Sequence, residues 1–186
     1  VVVKSPGVSL YRPEIVAAKK EGVCFTSSTN MWFAERAGET TVCITGTKGK
    51  STTSSLVAHM LRSTGKRCAL AGNLGVPIIS MLRSDADVWV IELSSYQAAD
   101  FTGSPSISVL LDLFPEHLDW HGTVERYYRD KLHLFSRTVD GWSVINAVDP
   151  VTKSLAFPFS RPIYFNAGEG FHVSDGWVFQ GEKRVM

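Results

Sequence analysis

The sequence predicts an α/β protein: a mainly parallel sheet of P-loop type flanked by helices, with a small antiparallel β-sheet appended at the C-terminal end. Three observations support this fold class. From Thr40 onward, apolar β-prone runs alternate with segments of helical periodicity, the pattern of a parallel sheet covered on both faces. A glycine-rich loop follows the first of these runs. After Ala156 the pattern changes to short β-prone runs, and Asp175-Gly176 and Gln180-Gly181 are typical of hairpin turns.

The elements are expected in a fixed order along the chain. Residues 1–37 predict a βαβ fragment, with strand 1–4, helix 13–21 and strand 23–26, followed by a short helix at 30–36. The main sheet is predicted to contain strands 41–45, 67–71, 87–93, 107–112 and 142–147, with helices at 51–64, 77–83, 123–136 and 149–155. The antiparallel runs are 163–165, 171–173, 177–180 and 183–186. Ligands of such sheets bind at the carboxyl ends of the strands, so the residues after each strand are the functional candidates.

Length and composition limit the class of protein. The chain has 186 residues, 44% hydrophobic and 20% charged, which suits one globular domain, or one domain with pieces of a neighbour. A net charge of +1 indicates neither a nucleic-acid partner nor a membrane surface. No apolar run approaches the ~20 residues of a membrane span. Three widely spaced cysteines predict buried thiols in a reducing compartment. We therefore expect a cytoplasmic protein, and a monomer.

The loop after strand 41–45 has the layout of a phosphate-binding loop. Its sequence is Gly46-Thr-Lys-Gly-Lys-Ser51, with a helical segment beginning at the serine. Glycines let backbone N–H groups close around phosphate oxygens, Lys50 supplies a cation, and Ser51 can bind Mg²⁺. Ile44 stands where the first glycine of the common G-x-x-x-x-G-K-[ST] pattern would be. An ordinary strand-to-helix turn is therefore the alternative interpretation.

Two further strand ends carry candidate binding residues. Gly72-Asn-Leu-Gly75 follows strand 67–71 and suits either close approach to a ligand or a tight turn. Glu92 ends the next strand, where NTPases hold their metal ion; the alternative is a glutamate that caps a helix or forms a salt bridge. Ser94, Ser95 and Gln97 could bind substrate oxygens, although helix capping would also explain the serines.

Polar groups are also dense in the loop 115–122, which contains two histidines and two carboxylates. His117 or Asp119 could bind a cation or orient a group that does, and a structural histidine is the alternative. Near the start of the chain, Ser5-Pro6-Gly7 follows a strand. This segment is either a ligand-binding turn or a plain type II turn.

Helix 123–136 places a lysine among apolar neighbours. On a period of 3.6 residues, Lys131 shares a face with Tyr128, Leu132 and Phe135. Such a lysine can extend its amine to solvent along the apolar surface. Alternatively, its amine is desolvated, which would lower its pKa and make it nucleophilic.

These motifs together resemble those of the Mur ligases, ATP-dependent enzymes that add amino acids to the peptidoglycan precursor. The resemblance covers essentially the whole chain and extends upstream to Ser5-Pro6-Gly7. It rests on five segments in order: Gly46-Thr-Lys-Gly-Lys-Ser-Thr52, Gly72-Asn-Leu-Gly-Val-Pro77, Glu92-Leu-Ser-Ser-Tyr-Gln97, Glu116-His-Leu-Asp119 and Tyr128-Arg-Asp-Lys131. The segment that begins at Glu92 is similar to that of the branch that adds glutamate to UDP-N-acetylmuramoyl-L-alanine.

The resemblance implies a domain organisation and a biological role. The family has a UDP-binding Rossmann-like domain, a central ATPase domain and a C-terminal Rossmann-like domain. Residues 1–37 would then be the C-terminal part of the first domain and residues 38–186 the central ATP-binding domain, with the third domain absent. This fragment alone would be inactive. The role would be peptidoglycan synthesis, and with it cell-wall biogenesis, cell shape and cell division.

The resemblance also implies the cofactors, which are ATP and two Mg²⁺ ions. Lys50 would hold the β- and γ-phosphates, with Ser51 and Glu92 on the Mg²⁺ between them and His117 serving the second Mg²⁺. Lys131 matches the family lysine that reacts with CO₂ and becomes a carbamate, an anionic metal ligand. The phosphate loop as a whole would bind the nucleotide: Gly46, Thr47, Lys48, Gly49, Lys50, Ser51 and Thr52. Lys48 departs from the family pattern, which usually has Asn.

The substrate-binding residues implied by the resemblance lie at three strand ends. Asn73, Ser94 and Gln97 would bind UDP-N-acetylmuramoyl-L-alanine, and Ser5, Pro6 and Gly7 would lie near its diphosphate. The substrate carboxylate would attack the γ-phosphate to give an acyl phosphate, which the glutamate amine then displaces. Residues that choose between D- and L-glutamate are expected in the C-terminal domain. The alternatives are a related ligase such as folylpolyglutamate synthase, or a P-loop kinase or regulatory NTPase.

Overall fold

A nine-stranded sheet organises the chain in a computed structural model that describes residues 1–73 and 76–185. Leu74 and Gly75 of the predicted glycine motif, and Met186 at the end of the last predicted strand, lie outside the described residues. The strands are β1 (Val2–Val3), β2 (Phe25–Thr26), β3 (Thr41–Thr45), β4 (Cys68–Gly72), β5 (Val88–Glu92), β6 (Ile107–Leu110), β7 (Trp142–Asn146), β8 (Pro162–Phe165), β9 (Phe171–Ser174), β10 (Trp177–Gln180) and β11 (Lys183–Arg184). The large sheet has the order β11-β10-β9-β8-β7-β6-β3-β5-β4, and β1 pairs with β2 in a separate two-stranded sheet.

Helices connect the parallel strands, as the alternating pattern predicts. They are α1 (Pro13–Lys20), α2 (Ser28–Glu35), α3 (Lys50–Ser63), α4 (Ser95–Ala98), α5 (Leu118–His121), α6 (Val124–Ser136) and α7 (Pro150–Leu155), with a 3₁₀ turn at Ile78–Met81. Helix caps explain several of the boundaries. The side chains of Ser27, Thr123 and Asp149 accept hydrogen bonds from the first turns of α2, α6 and α7.

The predicted fold class is confirmed, with one change at the C-terminal end. Strand β8 pairs in parallel with β7, so it extends the parallel sheet, and its assignment to the antiparallel sheet was wrong. Strands β9, β10 and β11 pair antiparallel through the two predicted hairpins. They continue the main sheet through the single pair Phe165 and Phe171. A run of four residues carries no signal of its partner's direction, which only the sheet decides.

Three short elements also differ from the sequence-based expectation. The segment predicted as helix 77–83 is the 3₁₀ turn Ile78–Met81. Helices α4 and α5 were missed, and each has only four residues. A single helical turn is too short to show a period of 3.6 residues. Both turns follow the carboxyl ends of β-strands, and they therefore shape the edge of the sheet where ligands bind.

Buried side chains form two clusters, one on each face of the sheet. Residues Val42 and Ile44 of β3 pack with Ala58 of α3 on one face. Cys43 points to the other face, where Trp32 of α2 meets Trp89 with ring centroids 4.8 Å apart. Successive strand side chains alternate in direction, so a strand between two covered faces buries its side chains on both. Strand β3, which lies between β6 and β5, is buried at all five positions.

The remaining global expectations concern cysteines and membrane spans. Cys43 is buried, which raises the pKa of its thiol, but Cys24 is exposed and was wrongly expected to be buried. All three cysteines are free thiols. Among the helices of residues 1–73 and 76–185, none combines the length and the apolar character that crossing a membrane requires.

Candidate functional site

The phosphate loop connects β3 to α3 in a conformation that requires glycine. Gly46 has φ +153°, and a Cβ there would lie 2.6 Å from the Cβ of Leu111, the residue just after the neighbouring strand β6. Gly49 caps the helix with φ +81°, in the left-handed region. Side chains at these positions would be strained or would clash. Thr47 donates its backbone N–H to the Asp112 carbonyl at 2.8 Å, which ties the loop to the end of β6.

Lys50 opens helix α3 with its amine folded back over the loop. Its Nζ donates to the carbonyls of Gly46 and Thr47 at 3.1 and 3.0 Å. Burial lowers the pKa of Lys50, while the nearby carboxylates of Glu92 and Glu116 oppose this shift. Ser51 is exposed in the first turn of α3, beside the positive end of the helix dipole. The loop therefore presents a cation, a hydroxyl and a helix N-terminus in one place.

Glu92 ends strand β5 beside this loop, opposite Ile44 of β3 in the strand register. Its side chain is buried, with 1% of the residue exposed. Oε1 accepts a hydrogen bond from Asn73 at 2.9 Å, whereas Oε2 is buried and has no hydrogen-bond partner among the described residues. Within residues 1–73 and 76–185, Glu92 forms no ion pair and caps no helix, which argues against its structural interpretation. An unpartnered buried carboxylate oxygen is the group that a metal ion would satisfy.

Gly72 brings β4 against the Glu92 backbone. With φ +108°, it lies so close that a Cβ would overlap the carbonyl oxygen of Glu92. Asn73 follows directly, and its backbone N–H donates to that same carbonyl at 2.9 Å. Gly72 thus approaches protein backbone closely, whereas the close approach to a ligand stays a prediction. The rest of the motif, Leu74 and Gly75, lies outside the described residues.

Lys131 of α6 reaches the same loop from the other side of β6. The residue is 2% exposed, and its Nζ donates to the Gly46 carbonyl at 2.8 Å. Desolvation by burial, reinforced by the charge of Lys50, lowers the pKa of Lys131 from 10.5 to about 7. The interpretation of a lysine that extends its amine to solvent is therefore wrong. The lowered pKa favours the unprotonated amine, which is nucleophilic.

The loop 115–122 faces the phosphate loop from the solvent side. Lys48 forms an ion pair with Glu116, whose other oxygen lies 3.5 Å from Nε2 of His117. The bond from Lys48 is the main reason that the pKa of Glu116 is lowered. His117 has φ +55° and a side chain 45% exposed, with its ring 5.0 Å from that of Tyr96. Its exposure leaves the imidazole accessible to a ligand.

The serines after Glu92 serve the fold of α4. Ser94 caps the helix, and its N–H and hydroxyl both donate to Gln97 Oε1 at 3.0 Å. Gln97 in turn donates to Thr29 Oγ1 at 3.3 Å. Ser95 is buried and hydrogen-bonded to His121. The capping interpretation of Ser94 is therefore confirmed, and a substrate contact of Ser94 or Gln97 stays a prediction.

Residues Ser5, Pro6 and Gly7 form a turn against α5. Val8 donates its N–H to the Ser5 carbonyl at 3.0 Å. Gly7 is not among the residues with positive φ, which a type II turn requires at this position, so that turn type was wrong. Trp120 Nε1 donates to the Pro6 carbonyl at 3.1 Å and so anchors the turn.

Sequence reasoning missed two sets of contacts around the loop, one of them made by the predicted loop residue Thr47. Thr47 is 1% exposed, and its hydroxyl bonds to Tyr127 at 2.8 Å and to the Phe114 carbonyl at 3.0 Å. At the end of β7, Asn146 donates to Asp112 Oδ1 at 2.6 Å. Asp149 accepts a hydrogen bond from the Leu113 N–H at 3.1 Å. Applying the strand-end rule to β7 would have identified Asn146, but the Thr47 contact has no local signal.

The metal site implied by the resemblance combines different kinds of donor. In the part of the chain that the structure describes, no three His, Cys, Asp or Glu side chains converge as a ligand group. The predicted set instead contains one carboxylate, one imidazole, a hydroxyl and a lysine. Mg²⁺ prefers oxygen ligands and keeps several waters. The unpartnered Glu92 Oε2 fits such an ion.

A loop whose conformation requires glycine, placed at a helix N-terminus with a buried carboxylate on the adjacent strand, defines a P-loop-type nucleotide-binding domain. The comparison with known families is more specific. The protein-family model described as "Mur ligase middle domain" matches residues 44–171. The chain belongs to the Mur ligase family.

Curated relatives cover the whole chain. A UDP-N-acetylmuramoyl-L-alanine--L-glutamate ligase of Xanthomonas oryzae pv. oryzae is 46% identical over an alignment of 196 positions, which covers 100% of this chain and 42% of the relative. A protein of the same name from Micromonospora is 47% identical, with 41% of its length covered. The chain thus spans less than half the length of these relatives.

Solved structures show the same fold. UDP-N-acetylmuramate:L-alanyl-gamma-D-glutamyl-meso-diaminopimelate ligase of Neisseria meningitides matches 96% of this chain and 64% of its own, with a TM-score of 0.65 and 21% identity. FolC of E. coli in complex with ADP matches 93% of this chain and 55% of its own, with a TM-score of 0.57 and 11% identity. At such identities, the likeness concerns the fold alone.

Proposed function

We propose that this chain is the ATP-binding part of a ligase that joins glutamate to UDP-N-acetylmuramoyl-L-alanine in peptidoglycan precursor synthesis. The observation that carries the proposal is the buried Lys131 amine, which lies 2.8 Å from the Gly46 carbonyl of the phosphate loop. In a P-loop kinase or regulatory NTPase, this buried lysine would be structural, whereas a ligase of this family would use it as a carbamate. The names of the relatives at 43–47% identity support the same substrates.

The phosphate loop would hold ATP. Lys50 and the backbone N–H groups at the start of α3 would bind the β- and γ-phosphates, with Lys48 at the exposed edge. Ser51 and Glu92 would hold one Mg²⁺, and His117 would serve a second. When bound, these ions would neutralise charge on the phosphates and on the incoming carboxylate. Glu92 would enter this arrangement with its free Oε2, while Asn73 keeps Oε1 in place.

Lys131 would act as a carbamate. An unprotonated amine is needed to attack CO₂, and burial supplies it by lowering the pKa to about 7. The new N–C bond releases one proton and leaves a carboxylate on the lysine, which is an oxygen ligand for Mg²⁺. This conversion would replace an unfavourable buried amine by an anion paired with metal.

The reaction would proceed in two displacements. A carboxylate oxygen of the substrate's alanine attacks the γ-phosphorus of ATP, and ADP leaves. The glutamate amine then attacks the acyl carbon, the C–O bond to phosphate breaks, and an amide and inorganic phosphate result. Lys50 would stabilise charge on the transferring phosphoryl group.

Further assignments complete the proposal. Asn73, Ser94 and Gln97 would contact the muramoyl substrate, and residues 5–7 would lie near its diphosphate. Residues 1–37 would belong to the UDP-binding domain and residues 38–186 to the central domain. Activity would need the remaining parts of such a ligase, so this chain alone would be inactive. The ligase would be a cytoplasmic monomer.

The other candidate ligase is folylpolyglutamate synthase. FolC and the synthase of L. casei share this fold, at 11–16% identity. The much higher identity to the glutamate-adding relatives favours the muramoyl substrate. The relatives' names further suggest L-glutamate as the amino acid.

Measuring ADP release by a ligase that contains this chain tests the proposal. Release should require UDP-N-acetylmuramoyl-L-alanine and glutamate together, and L-glutamate should support it far better than D-glutamate. Release with a folate substrate would favour the synthase. Release with a hydroxyl acceptor alone would favour a kinase. Either of these two results would overturn the proposed function.

A further inference from the structure

Four side chains from four separate segments, three of them buried and Tyr11 partly buried, form one hydrogen-bonded chain beside the candidate site. Tyr11 OH donates to Asp130 Oδ1 at 2.6 Å. Asp130 Oδ2 lies 2.7 Å from His121 Nδ1, and His121 Nε2 lies 3.0 Å from Ser95 Oγ. The last three residues are 0–4% exposed. No role in the proposed reaction has so far involved these groups.

The donors and acceptors agree with a single direction along this chain. Burial and the bond to Asp130 raise the pKa of Tyr11 to about 12, so its hydroxyl stays protonated and donates. Asp130 can accept from Tyr11 on one oxygen and, when His121 carries its proton on Nδ1, from His121 on the other. His121 Nε2 then accepts from the Ser95 hydroxyl. Every polar atom is satisfied, which makes such a buried network rigid.

The order serine, histidine, aspartate also occurs in hydrolases, but these hydrogen-bonded side chains have no access to substrate. Ser95 is 3% exposed and His121 is fully buried. A nucleophile must meet its substrate within a few ångströms. The arrangement is therefore a structural brace and not a hydrolytic centre.

Each of the four hydrogen-bonded residues lies next to a residue or segment of the candidate site. Ser95 is three residues beyond Glu92, and Asp130 precedes Lys131. His121 ends α5, which begins directly after His117. Tyr11 follows the turn at residues 5–7, and its ring lies 4.2 Å from the Arg126 guanidinium of α6. The hydrogen bonds thus join the four segments that would hold the metal ions and the substrate diphosphate.

We propose that His121 is a positioning residue that, through Asp130, Tyr11 and Ser95, sets the relative placement of Glu92, His117, Lys131 and the turn at residues 5–7. This role rests on the proposed function, since it concerns the geometry of that site. His121 touches no reacting atom. Its effect is on how well the segments are aligned.

The mildest test removes the hydroxyl at each end of the chain in the intact ligase. We expect Tyr11→Phe and Ser95→Ala each to lower kcat about 10-fold, as groups that orient metal ligands do, while the KM for ATP changes less than about 2-fold. The matched controls are Tyr164→Phe, on exposed β8, and Ser143→Ala, which removes a buried hydroxyl without a partner in β7. Both controls should keep the wild-type kcat. A wild-type kcat in both end variants would overturn the proposal.

The double variant tests whether the chain acts as a unit. Tyr11 and Ser95 share no hydrogen bond, so independent effects would multiply to about 100-fold. If the hydrogen-bonded residues act as a unit, removing one hydrogen bond already abolishes their effect. The kcat of the double variant should therefore fall only about 10-fold. The full product of the two single effects would overturn the proposal. His121→Gln should show the same loss of kcat as either end variant.

A spectroscopic test separates this inference from the proposed function. In histidine-labelled intact protein, ¹⁵N NMR should show His121 protonated at Nδ1 and unprotonated at Nε2, with Ser95→Ala shifting the Nε2 signal. An unprotonated His121 Nδ1 would overturn the proposed hydrogen-bonded arrangement, whatever the enzyme's activity. If the protein shows the expected ¹⁵N signals but no glutamate-dependent ADP release, the proposed function is overturned. The hydrogen-bonded arrangement of His121 is then still supported.

Discussion

The candidate site has two halves that are held in different ways. The inner half contains Glu92, Lys131 and the Gly46 backbone, all buried and fixed by strand register and packing. The outer half contains Lys48, Glu116 and His117, whose contacts are ion pairs beside solvent. Buried groups have few alternative partners, whereas water and salt compete for exposed charges. The inner half is therefore preformed, and the outer half can exchange partners when a ligand arrives.

The two halves also treat charge in opposite ways. Burial disfavours the ammonium of Lys131 and lowers its pKa to about 7. At the exposed edge, Lys48 stabilises the carboxylate of Glu116 and lowers its pKa. The inner half thus prepares a group for chemical change, and the outer half favours the ionised carboxylate of Glu116. The predictions below test this contrast.

The largest effect is expected for Lys131→Ala. In the intact ligase, kcat for ADP formation should fall by about 10²–10³-fold, because a charge-stabilising group of the site is lost. Short carboxylates added to the assay should restore part of the rate, since they can occupy the space of a carbamate. Wild-type turnover of this variant would refute the role of Lys131.

Gly72→Ala should strongly destabilise the inner half. Its Cβ would overlap the Glu92 carbonyl, and φ +108° disfavours any side chain. We expect a loss of about 3 kcal/mol in the free energy of unfolding, measured by urea denaturation. Gly168→Ala is the matched control, because its Cβ would meet nothing within 4 Å. An equal, small change in both variants would contradict the close approach of β4 to β5.

The buried amine should make stability depend on pH. Folded protein releases the Lys131 proton near pH 7, whereas a lysine in the unfolded chain holds it to about pH 10.5. Between these values the unfolded state binds more protons, so stability rises with pH. Lys131→Met should therefore be more stable than wild type at pH 6. Its advantage should shrink above pH 7, by at most about 1.4 kcal/mol per pH unit.

Urea denaturation of both proteins in CO₂-free buffer at several pH values measures this difference. Removing CO₂ keeps the wild-type amine unmodified. A difference that is constant from pH 6 to pH 10 would show that folded protein keeps this lysine protonated throughout that range, and it would contradict the lowered pKa of Lys131.

The smallest effect is expected at the outer half. Lys48→Asn removes an exposed ion pair with Glu116, so stability should change little and the KM for ATP less than about 5-fold. Any change should diminish at high salt, because salt screens exposed charges. A loss of kcat as large as that of Lys131→Ala would show that the outer half is as essential as the inner half.

Much of the fold and of the site follows from local patterns. The parallel strands, the phosphate loop and the main helices were predictable, because apolar periodicity and glycines determine them. Glu92 and His117 could be selected because they follow strands. The four-residue helices α4 and α5 could not be found, since one helical turn shows no period.

The sequence by itself determined which chemical groups the site contains and the order in which the strand ends present them. Only the tertiary structure decided which of these groups meet and which are shielded from water. It turned Lys131 inward to the Gly46 carbonyl, occupied Ser94 and Gln97 with helix capping, and left one oxygen of Glu92 without a partner. Burial and pairing are properties of side chains from distant segments, so no local pattern specifies them.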